Sequence, residues 1–406
     1  MRNKELINKN VLFLILILIP IFKPVGITII DNINKIFQVW KIASICIMSI
    51  YIFKNRKNNK YEYSIPLVIF WVIYIITSFI YKGDYVDIIN NGVTSILLIC
   101  FIKEEFNKEK KYILKALKYI FMLYLTLQLY SMIKINISKN YDKFIYFLGE
   151  DNYSAFSIIP MITIVLFIQY LEKEQISIVS LFFIGILTML YMFVKSYTAS
   201  LALIILLLFI VLLKFNINVL KYFSIRKTYI LLIILLIMIL LFNIQDLFST
   251  ILNDIEKGIT LNSRTIIWND AIELIKQKPL FGYGSLSEEK INDYYLYGAT
   301  HAHNIILELL LRTGIIGTFN YLMFIDKSVK NIYKRCKTSK EVSILILGVI
   351  SYLILSFMDF YPILQYQYCL YAILYCYSKS NNKYKMIEEN NNEKYFSSGT
   401  TPRWWN

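Results

Sequence analysis

The sequence predicts an all-α fold, a polytopic integral membrane bundle of about twelve transmembrane helices, on three observations. The chain is 57% hydrophobic with a mean hydropathy of +0.52, which is too apolar for a soluble domain of 406 residues. Runs such as "VLFLILILIP" and "YILLIILLIMILLF" contain no charge, and a helix needs roughly 20 mainly apolar residues to cross a bilayer. Short polar gaps separate these runs, whereas the alternating segments of a β-barrel are absent from the sequence.

Twelve apolar segments are the candidates for these crossings. They lie at 11–30, 36–53, 64–80, 85–102, 112–133, 155–171, 176–194, 198–213, 228–243, 303–325, 342–357 and 361–377. The first segment has no small-residue cleavage site, so we interpret it as a retained helix and not as a signal peptide. The membrane domain is predicted to cover 1–378, and the polar segment 379–406 is predicted to be a disordered cytoplasmic tail.

Lysine and arginine fall mainly on one side of this twelve-helix arrangement. The loops after the second, fourth, eighth and tenth segments are rich in them, whereas the short loops on the opposite side carry only Lys35, Lys82 and Lys195. Cytoplasmic loops of membrane proteins carry an excess of positive charge, so both termini are predicted to be cytoplasmic. The net charge of +15 therefore requires no nucleic acid partner, and binding to anionic lipid headgroups is a secondary interpretation.

Two of the predicted external loops stand out. One, at about 134–154, contains the motif "LGEDNYSA", and the other, at about 244–302, is the longest connection in the chain. In the longer loop, Asn262–Ser263 are predicted to cap a short amphipathic helix that begins near Arg264. This helix is predicted to lie on the membrane surface or to cap the bundle. The apolar residues on one face of this helix are Ile267, Ala271, Leu274 and Ile275. Pro279 ends the helix, and "LFGYGS" predicts a glycine-rich turn.

The only two histidines, His301 and His303, lie where this loop meets the next apolar segment. They have a structural interpretation as interfacial residues at a helix N-terminus. A metal site is disfavoured, because imidazoles at i and i+2 of a helix point to different faces and no acidic cluster completes a shell. Glu308 and Arg312 follow at i and i+4 in the outer part of the same apolar helix. Ionisable groups there usually face a partner, a water-filled cavity or a substrate, so a structural pair and a substrate site both remain open.

Two of these side chains suit transfer chemistry. His303 is expected near the membrane boundary, and an imidazole can act as a base near neutral pH. Arg264 lies upstream in the same loop. Its guanidinium is a permanent cation that can bind a phosphate group through two parallel hydrogen bonds.

The stretch "NSRTIIWNDAIELIKQKPLFGYGSL…HAHNIILELLLRTGIIG" resembles the C-terminal signature of the O-antigen ligase and O-antigen polymerase family. That signature has an arginine and a tryptophan, a P-L-F-G-x-G turn, and a His-Asn pair nine residues before Gly-x-x-Gly. The matching residues are Arg264, Trp268, Pro279, Leu280, Phe281, Gly282, Gly284, His303, Asn304, Gly314 and Gly317. The resemblance extends loosely over most of the chain through the hydropathy profile and the long outer loop.

Two other stretches compare with the family less closely. "EDNYSA" is similar to the family's D-P-N-x-x-A, with Asn152 in the matching place and no proline. Before the eighth helix the family usually has S-R-x-A, but here "SYTA" places Tyr197 where the arginine stands. Lys195 lies close by. A lysine is a point charge without the planar fork of arginine, so the second phosphate contact departs from the family pattern.

The resemblance implies a membrane glycosyltransferase whose bundle is similar to those of the large lipid-dependent glycosyltransferases (GT-C-like). It implies that His303 is the general base or positions the acceptor, and that Arg264 binds the donor diphosphate with Lys195 or Arg312 assisting. The other residues expected to bind substrate or shape the site are Tyr197, His301, Asn304, Glu308, Trp268, Asn152, Gly282 and Gly284. The resemblance also implies transfer without a metal or other cofactor, with inversion at the anomeric carbon.

The implied partners are an undecaprenyl-diphosphate-linked oligosaccharide donor, a saccharide acceptor and membrane lipid, with a chain-length regulator and a flippase of the same pathway. The implied location is the bacterial cytoplasmic (inner) membrane, with the site on its external face. The chain is rich in Ile, Lys and Asn, as in low-GC Gram-positive bacteria that lack lipopolysaccharide, and this favours an O-antigen or capsular polysaccharide polymerase. The alternatives are an O-antigen ligase or a protein O-oligosaccharyltransferase. Outside this class stands a lipid-linked oligosaccharide flippase or transporter, which is disfavoured because transporter sites lie near the midplane at repeat interfaces.

Overall fold

The computed structural model describes residues 8–55, 64–138, 145–217, 219–221, 224–242, 258–286, 299, 301–330, 332 and 339–377. The predicted tail at 379–406 lies outside the described residues, as does part of the long loop. Within them the chain is helical, and the only β contact is an isolated bridge between Tyr146 and Gly149. The helical fold class predicted from the sequence is therefore confirmed.

The described residues form twelve α-helices. They are α1 (Lys9–Leu18), α2 (Asp31–Asn55), α3 (Ile65–Ile80), α4 (Tyr85–Ser138), α5 (Asp151–Lys173), α6 (Ile178–Phe193), α7 (Tyr197–Lys214), α8 (Ile225–Phe242), α9 (Gly258–Gln277), α10 (Ile305–Val329), α11 (Lys340–Ser356) and α12 (365–377). Short 3-10 turns lie at Val25–Ile29 and Val219–Lys221.

All twelve predicted segments overlap helices, but the count of twelve crossings is not supported. Five helical stretches of the described chain are long and apolar enough to cross a membrane. They are Asp31–Asn55, Tyr85–Ile135, Asn152–Lys173, Tyr197–Lys214 and Ile305–Val329. Two predicted segments, 85–102 and 112–133, share α4, whose backbone leaves helical geometry at Glu109. The first predicted segment is shortened because Pro20 and Pro24 follow α1, which has 10 residues and is about 15 Å long.

The helix in the long loop packs onto the bundle. α9 contacts α10 and α8, and its predicted apolar face is buried at Ile267, Ala271 and Leu274. Apolar burial of this kind stabilises a short helix far more than its intrinsic propensity does. α9 begins at Gly258, so the prediction that Asn262–Ser263 cap it was wrong. Polar residues that favour caps are also tolerated inside helices, and the cap signal therefore marked the wrong boundary.

Four helices begin at one end of the bundle. The Tyr153 ring in the first turn of α5 meets the Tyr361 ring edge to face, with centroids 4.6 Å apart, and Tyr361 lies 5.2 Å from the ring of His301, just before α10. Gln365, the first residue of α12, donates to the carbonyl of Asn91 in the second turn of α4 at 3.4 Å. Because helix N-termini carry partial positive charge, this end of the bundle favours anions.

Candidate active site

His301 and His303 lie together in the structure, and an aspartate joins them. The Nε2 atom of His301 lies 2.8 Å from Oδ1 of Asp359, and Nδ1 of His303 lies 3.5 Å from the same oxygen. The centroids of the two imidazole rings are 3.9 Å apart. We call these three residues the histidine cluster.

The backbone before α10 explains why the two imidazoles meet. Both histidines precede the first residue of α10, Ile305, and His303 has a φ of +49°, in the left-handed region. The sequence argument that residues at i and i+2 point to different faces assumed a helix, and that assumption was wrong. A non-glycine residue in this region costs of order 1–3 kcal/mol, and such strain is typical of functional sites.

Asp359 was missed by the sequence analysis. It lies in the turn between α11 and α12, where its Oδ1 accepts from the backbone amide of Phe360 at 3.0 Å and its Oδ2 from the hydroxyl of Tyr361 at 3.1 Å. The sequence does contain a signal that could have identified Asp359. It is the only acidic residue between Glu341 and Glu388, and it lies between two apolar segments. Such a residue in a membrane protein is a candidate functional group.

The charge of Asp359 is set by the two histidines. Burial favours the neutral carboxyl and raises its pKa, but hydrogen bonding and attraction from His301 and His303 outweigh burial and hold the pKa well below its usual range. The carboxylate is therefore ionised at neutral pH. An ionised carboxylate beside an imidazole orients the ring and stabilises its protonated form.

Asn304 fixes the start of α10. Its Oδ1 accepts hydrogen bonds from the backbone amides of Ile306 (2.9 Å) and Leu307 (3.2 Å), as an N-cap residue does. Its Nδ2 donates to the carbonyl of Phe357 at the end of α11 at 2.9 Å. The predicted site residue Asn304 therefore joins the two chain segments that carry the histidine cluster.

Glu308 and Arg312 form a buried ion pair behind the histidine cluster. Nε of Arg312 donates to Oε1 of Glu308 at 2.8 Å, and the side chains are 8% and 5% exposed. The other oxygen of Glu308 accepts from the backbone amide of Ala302, between the two histidines, at 2.7 Å. Arg312 also donates to the carbonyl of Gly284 at 3.3 Å. The pair thus connects the histidine backbone to the glycine-rich turn.

The glycine-rich turn replaces helix hydrogen bonds at a break in α10. The backbone of α10 leaves helical geometry at Gly314, with φ +61° and ψ −169°. Four backbone hydrogen bonds join the turn to the break: Tyr283 N to Leu311 O (2.8 Å), Gly284 N to Arg312 O (2.8 Å), Ile315 N to Pro279 O (2.8 Å) and Ile316 N to Leu280 O (3.2 Å). Backbone groups released by the break are satisfied by the loop, as burial requires.

Two positions of the signature require glycine because backbone atoms of another segment lie very close to them. Gly282 has a φ of +68°, and a Cβ there would lie 2.5 Å from the carbonyl oxygen of Leu311. A Cβ on Gly314 would lie 2.2 Å from the carbonyl carbon of Leu280. Both positions combine left-handed backbone with contact to another backbone, which only glycine tolerates.

Arg264 and Trp268 lie one turn apart on α9. Trp268 is fully buried, and its ring meets that of Phe357 edge to face at 5.9 Å. Burial lowers the pKa of the Arg264 guanidinium, and electrostatic attraction from Asp359 partly offsets this. Arginine stays protonated in proteins, so Arg264 is a permanent cation within electrostatic range of the histidine cluster.

A second group of predicted residues adjoins the first. The hydroxyl of Ser196 donates to Oδ1 of Asn152 at 2.6 Å, so the chain segment that contains Lys195 and Tyr197 is held against the start of α5. Tyr153, next to Asn152, contacts Tyr361, whose hydroxyl donates to Asp359. Asn152 is therefore connected to the histidine cluster only indirectly, through its neighbour Tyr153 and through Tyr361. Trp268 packs on Phe357, and the carbonyl of Gly284 accepts from Arg312.

The arrangement offers two kinds of chemistry. An imidazole next to an ionised carboxylate can accept a proton, and the half-buried Arg264 can stabilise negative charge on a phosphate. The three residues of the histidine cluster also offer one ligand atom each within 4.8 Å of one another, close enough to hold a metal ion. The sequence argument against a metal site was that no acidic group completes the ligand shell. Asp359 is such an acidic group.

The comparisons with known proteins bear on the part of the chain that carries most of this site. Residues 180–322 match the protein family described as O-Antigen ligase, and the resemblance seen in the sequence is thereby confirmed. The matched range contains Arg264 and both histidines but ends before Asp359. Neither the curated proteins nor the solved structures give a match.

Proposed function

From the match of residues 180–322 to the family described as O-Antigen ligase, we propose that the chain transfers lipid-linked saccharides on the outer face of the bacterial cytoplasmic membrane. The donor is an oligosaccharide on undecaprenyl diphosphate, and the acceptor is a saccharide hydroxyl. The observation that carries the proposal is the histidine cluster within electrostatic range of the half-buried cation Arg264, at the end of an apolar helical bundle where four helix N-termini meet.

His303 is the general base in this proposal. Asp359 faces Nδ1 of His303, so Nε2 is available to the acceptor hydroxyl, and the His303 side chain is 25% exposed. The acceptor oxygen forms a bond to the anomeric carbon while the bond from that carbon to the diphosphate oxygen breaks. The proton passes to His303, and the bonding electrons leave with the diphosphate. Attack opposite the leaving group inverts the anomeric configuration.

Arg264 stabilises the departing diphosphate, because negative charge grows on the leaving oxygen as the bond breaks. Lys195, held near Asn152 through Ser196, is the assisting cation. Arg312 is bonded to Glu308 and to the carbonyl of Gly284, which supports a positioning role. Asn304, Glu308, Trp268 and the glycines of the turn keep the histidine backbone in place.

The finer parts of the proposal concern product and topology. The composition favours a polymerase that joins lipid-linked repeats, with O-antigen ligase and protein O-oligosaccharyltransferase as the family alternatives. We further propose that both termini are cytoplasmic, and that a flippase and a chain-length regulator are pathway partners. The clustering of cationic loops on one predicted side supports this orientation.

The test uses the purified protein with a lipid-linked oligosaccharide repeat as the only substrate, after dialysis against a chelator. A ladder of lengthened lipid-linked chains is the expected result, and product configuration at the new linkage is expected to be inverted. Transfer that appears only after a separate acceptor is added identifies a ligase or a protein glycosyltransferase. Activity that returns only with added metal contradicts proton transfer by His303 alone. Passage of the intact lipid across a vesicle membrane without any transfer overturns the enzyme assignment.

Arg264→Lys is expected to raise the KM for the lipid-linked donor about tenfold or more, because lysine keeps the charge but loses bidentate phosphate binding. The KM for the acceptor should change less. Arg226→Lys is the matched control, since Arg226 pairs with Asp326 and is exposed. Equal donor KM in the Arg264→Lys and Arg226→Lys proteins contradicts the role of Arg264.

A further inference from the structure

A polar cavity lies at the same end of the bundle as the histidine cluster. Its volume is about 170 Å³, and it is bounded by the α1–α2 connection, by the first two turns of α4 and α5 and by the first turn of α12, with α2 along one side. The polar residues that line it include Lys23, Lys41, Asn91, Tyr153 and Gln365. None of them belongs to the family signature identified above.

Lys41 is a charged residue inside a membrane-spanning helix. It lies ten residues after the start of α2, Asp31–Asn55, one of the helices long and apolar enough to cross a membrane. An ionisable side chain at such a position is costly and usually serves a pathway or a ligand. Asp87 attracts Lys41 electrostatically, whereas Lys23 repels it. Asp87 is itself bonded to the amide of Asn91, at 2.9 Å.

Lys23 adds a second cation to the same cavity. Its ammonium donates one hydrogen bond to the side-chain oxygen of Asn34, and an ammonium has three protons to donate. Two cations that repel each other across one cavity are stabilised when an anion lies between them. A diphosphate spans such a pair better than a single phosphate, because it carries separate charged phosphoryl groups.

An unsatisfied amide points to a ligand independently of the charges. Gln365 is 6% exposed, and its Oε1 is buried without a hydrogen-bond partner among the described residues. Its Nε2 donates to the carbonyls of Asn91 and Ile363, at 3.4 and 3.1 Å. A buried acceptor left unpaired costs roughly 1–3 kcal/mol. A sugar hydroxyl in the cavity would satisfy this oxygen.

The cavity is close to the reacting groups, and one of the helices that line it has an exposed apolar surface. Tyr153 lines it and contacts Tyr361, whose ring lies 5.2 Å from that of His301. Two successive aromatic rings, those of Tyr153 and Tyr361, therefore connect the cavity to the histidine cluster. Helix α2, which lines the cavity through Lys41, also presents exposed apolar residues such as Ile36 and Val39, which suit contact with a polyprenyl chain.

We propose that this cavity binds the diphosphate and first sugar of the acceptor, a second polyprenyl-diphosphate-linked saccharide. This inference rests on the proposed function and specifies it, because a lipid-linked acceptor makes the protein a polymerase. Donor and acceptor then bind on opposite sides of the histidine cluster. Arg264 holds the first diphosphate, and Lys23 with Lys41 holds the second.

Binding is measured first, without any chemistry, by native mass spectrometry of the protein in detergent with sugar-free undecaprenyl diphosphate. The wild-type protein is expected to bind two copies, and the Lys23→Gln/Lys41→Gln protein one copy. The Lys23→Arg/Lys41→Arg protein keeps both cations and is expected to bind two. The matched control is Lys35→Gln/Lys276→Gln, which removes the same charge from exposed positions and should also bind two.

A second measurement separates this inference from the proposed function. In the transfer assay, the Lys23→Gln/Lys41→Gln protein is expected to show an acceptor KM raised at least tenfold with an unchanged donor KM. If the wild-type protein transfers nothing but binds two copies and the variant one, the proposed function fails and the cavity assignment stands. Two copies bound to the double-glutamine variant overturn the assignment. Displacement of the second copy by equimolar inorganic pyrophosphate overturns the lipid-linked identity of the ligand.

Discussion

His303→Ala is expected to lower kcat for glycosyl transfer by about 10²–10⁴-fold, the usual contribution of a positioned general base. The imidazole is partly exposed beside an ionised carboxylate. Its removal leaves no base to take the proton from the hydroxyl of the acceptor saccharide. Donor binding should change little, since the cation Arg264 is retained. Single-turnover rates with saturating lipid-linked donor and acceptor measure the effect without interference from product release.

Three further variants decide how His303 acts. Asp359→Asn is expected to lower kcat, and the double variant Asp359→Asn/His303→Ala should be no slower than His303→Ala, because residues that act as a unit are not additive. His301→Gln leaves the base in place and should cost much less than His303→Ala. Equal losses for both histidine variants, with recovery on addition of a divalent metal, would contradict the base assignment and support a metal held by the cluster.

Glu308→Ala is expected to destabilise the folded protein by roughly 3–5 kcal/mol, the cost of leaving a buried charge unpaired. The variant removes the carboxylate that pairs with the guanidinium of Arg312, whose side chain is 8% exposed. It also removes the hydrogen-bond acceptor for the backbone amide of Ala302. Glu308→Leu/Arg312→Met removes both charges and is expected to be more stable than Glu308→Ala, although the amide and the carbonyl of Gly284 stay unsatisfied. Thermal unfolding in detergent measures the difference.

An exposed ion pair on another part of the bundle is the control for this experiment. Arg226 and Asp326 are joined through two hydrogen bonds of 2.9 and 3.0 Å, and their side chains are 72% and 40% exposed. Asp326→Ala is expected to leave the unfolding temperature unchanged, because solvent screens such pairs. If Glu308→Ala and Asp326→Ala unfold at the same temperature, the buried pair does not hold the site together.

The sequence was most informative where one short-range pattern dominates. Apolar runs predicted the helices, and apolar spacing predicted the buried face of α9 at Ile267, Ala271 and Leu274. The signature residues Arg264, Asn304 and His303 could be identified because their order along the chain is itself the signal. Boundaries were less accurate, as the start of α9 at Gly258 shows, since residues that favour caps also occur within helices.

The geometry of the site depends on long-range contacts that the sequence pattern does not contain. Asp359 reaches His301 across 58 positions of the chain, and no local periodicity encodes that contact. The left-handed backbone of His303 likewise follows from the constraints on both sides of it, namely the cap at Asn304 and the bond from Ala302 to Glu308. The relative position of the two imidazoles is therefore set by tertiary contacts, and the helical geometry assumed from the local sequence predicted it wrongly.

The break in α10 has a consequence for the order of biosynthesis. The glycine-rich turn at Pro279 is translated before Gly314, so the backbone partners of the break already exist when α10 leaves the ribosome. Asp359 follows 45 residues after Gly314, and the histidine cluster stays incomplete until the turn after α11 has been made. A nascent chain that stops after α10 thus contains the glycine-rich turn and both residues of the Glu308–Arg312 pair but no carboxylate for its histidines. Proton transfer that needs all three residues of the histidine cluster therefore has to wait until the turn after α11 has been made.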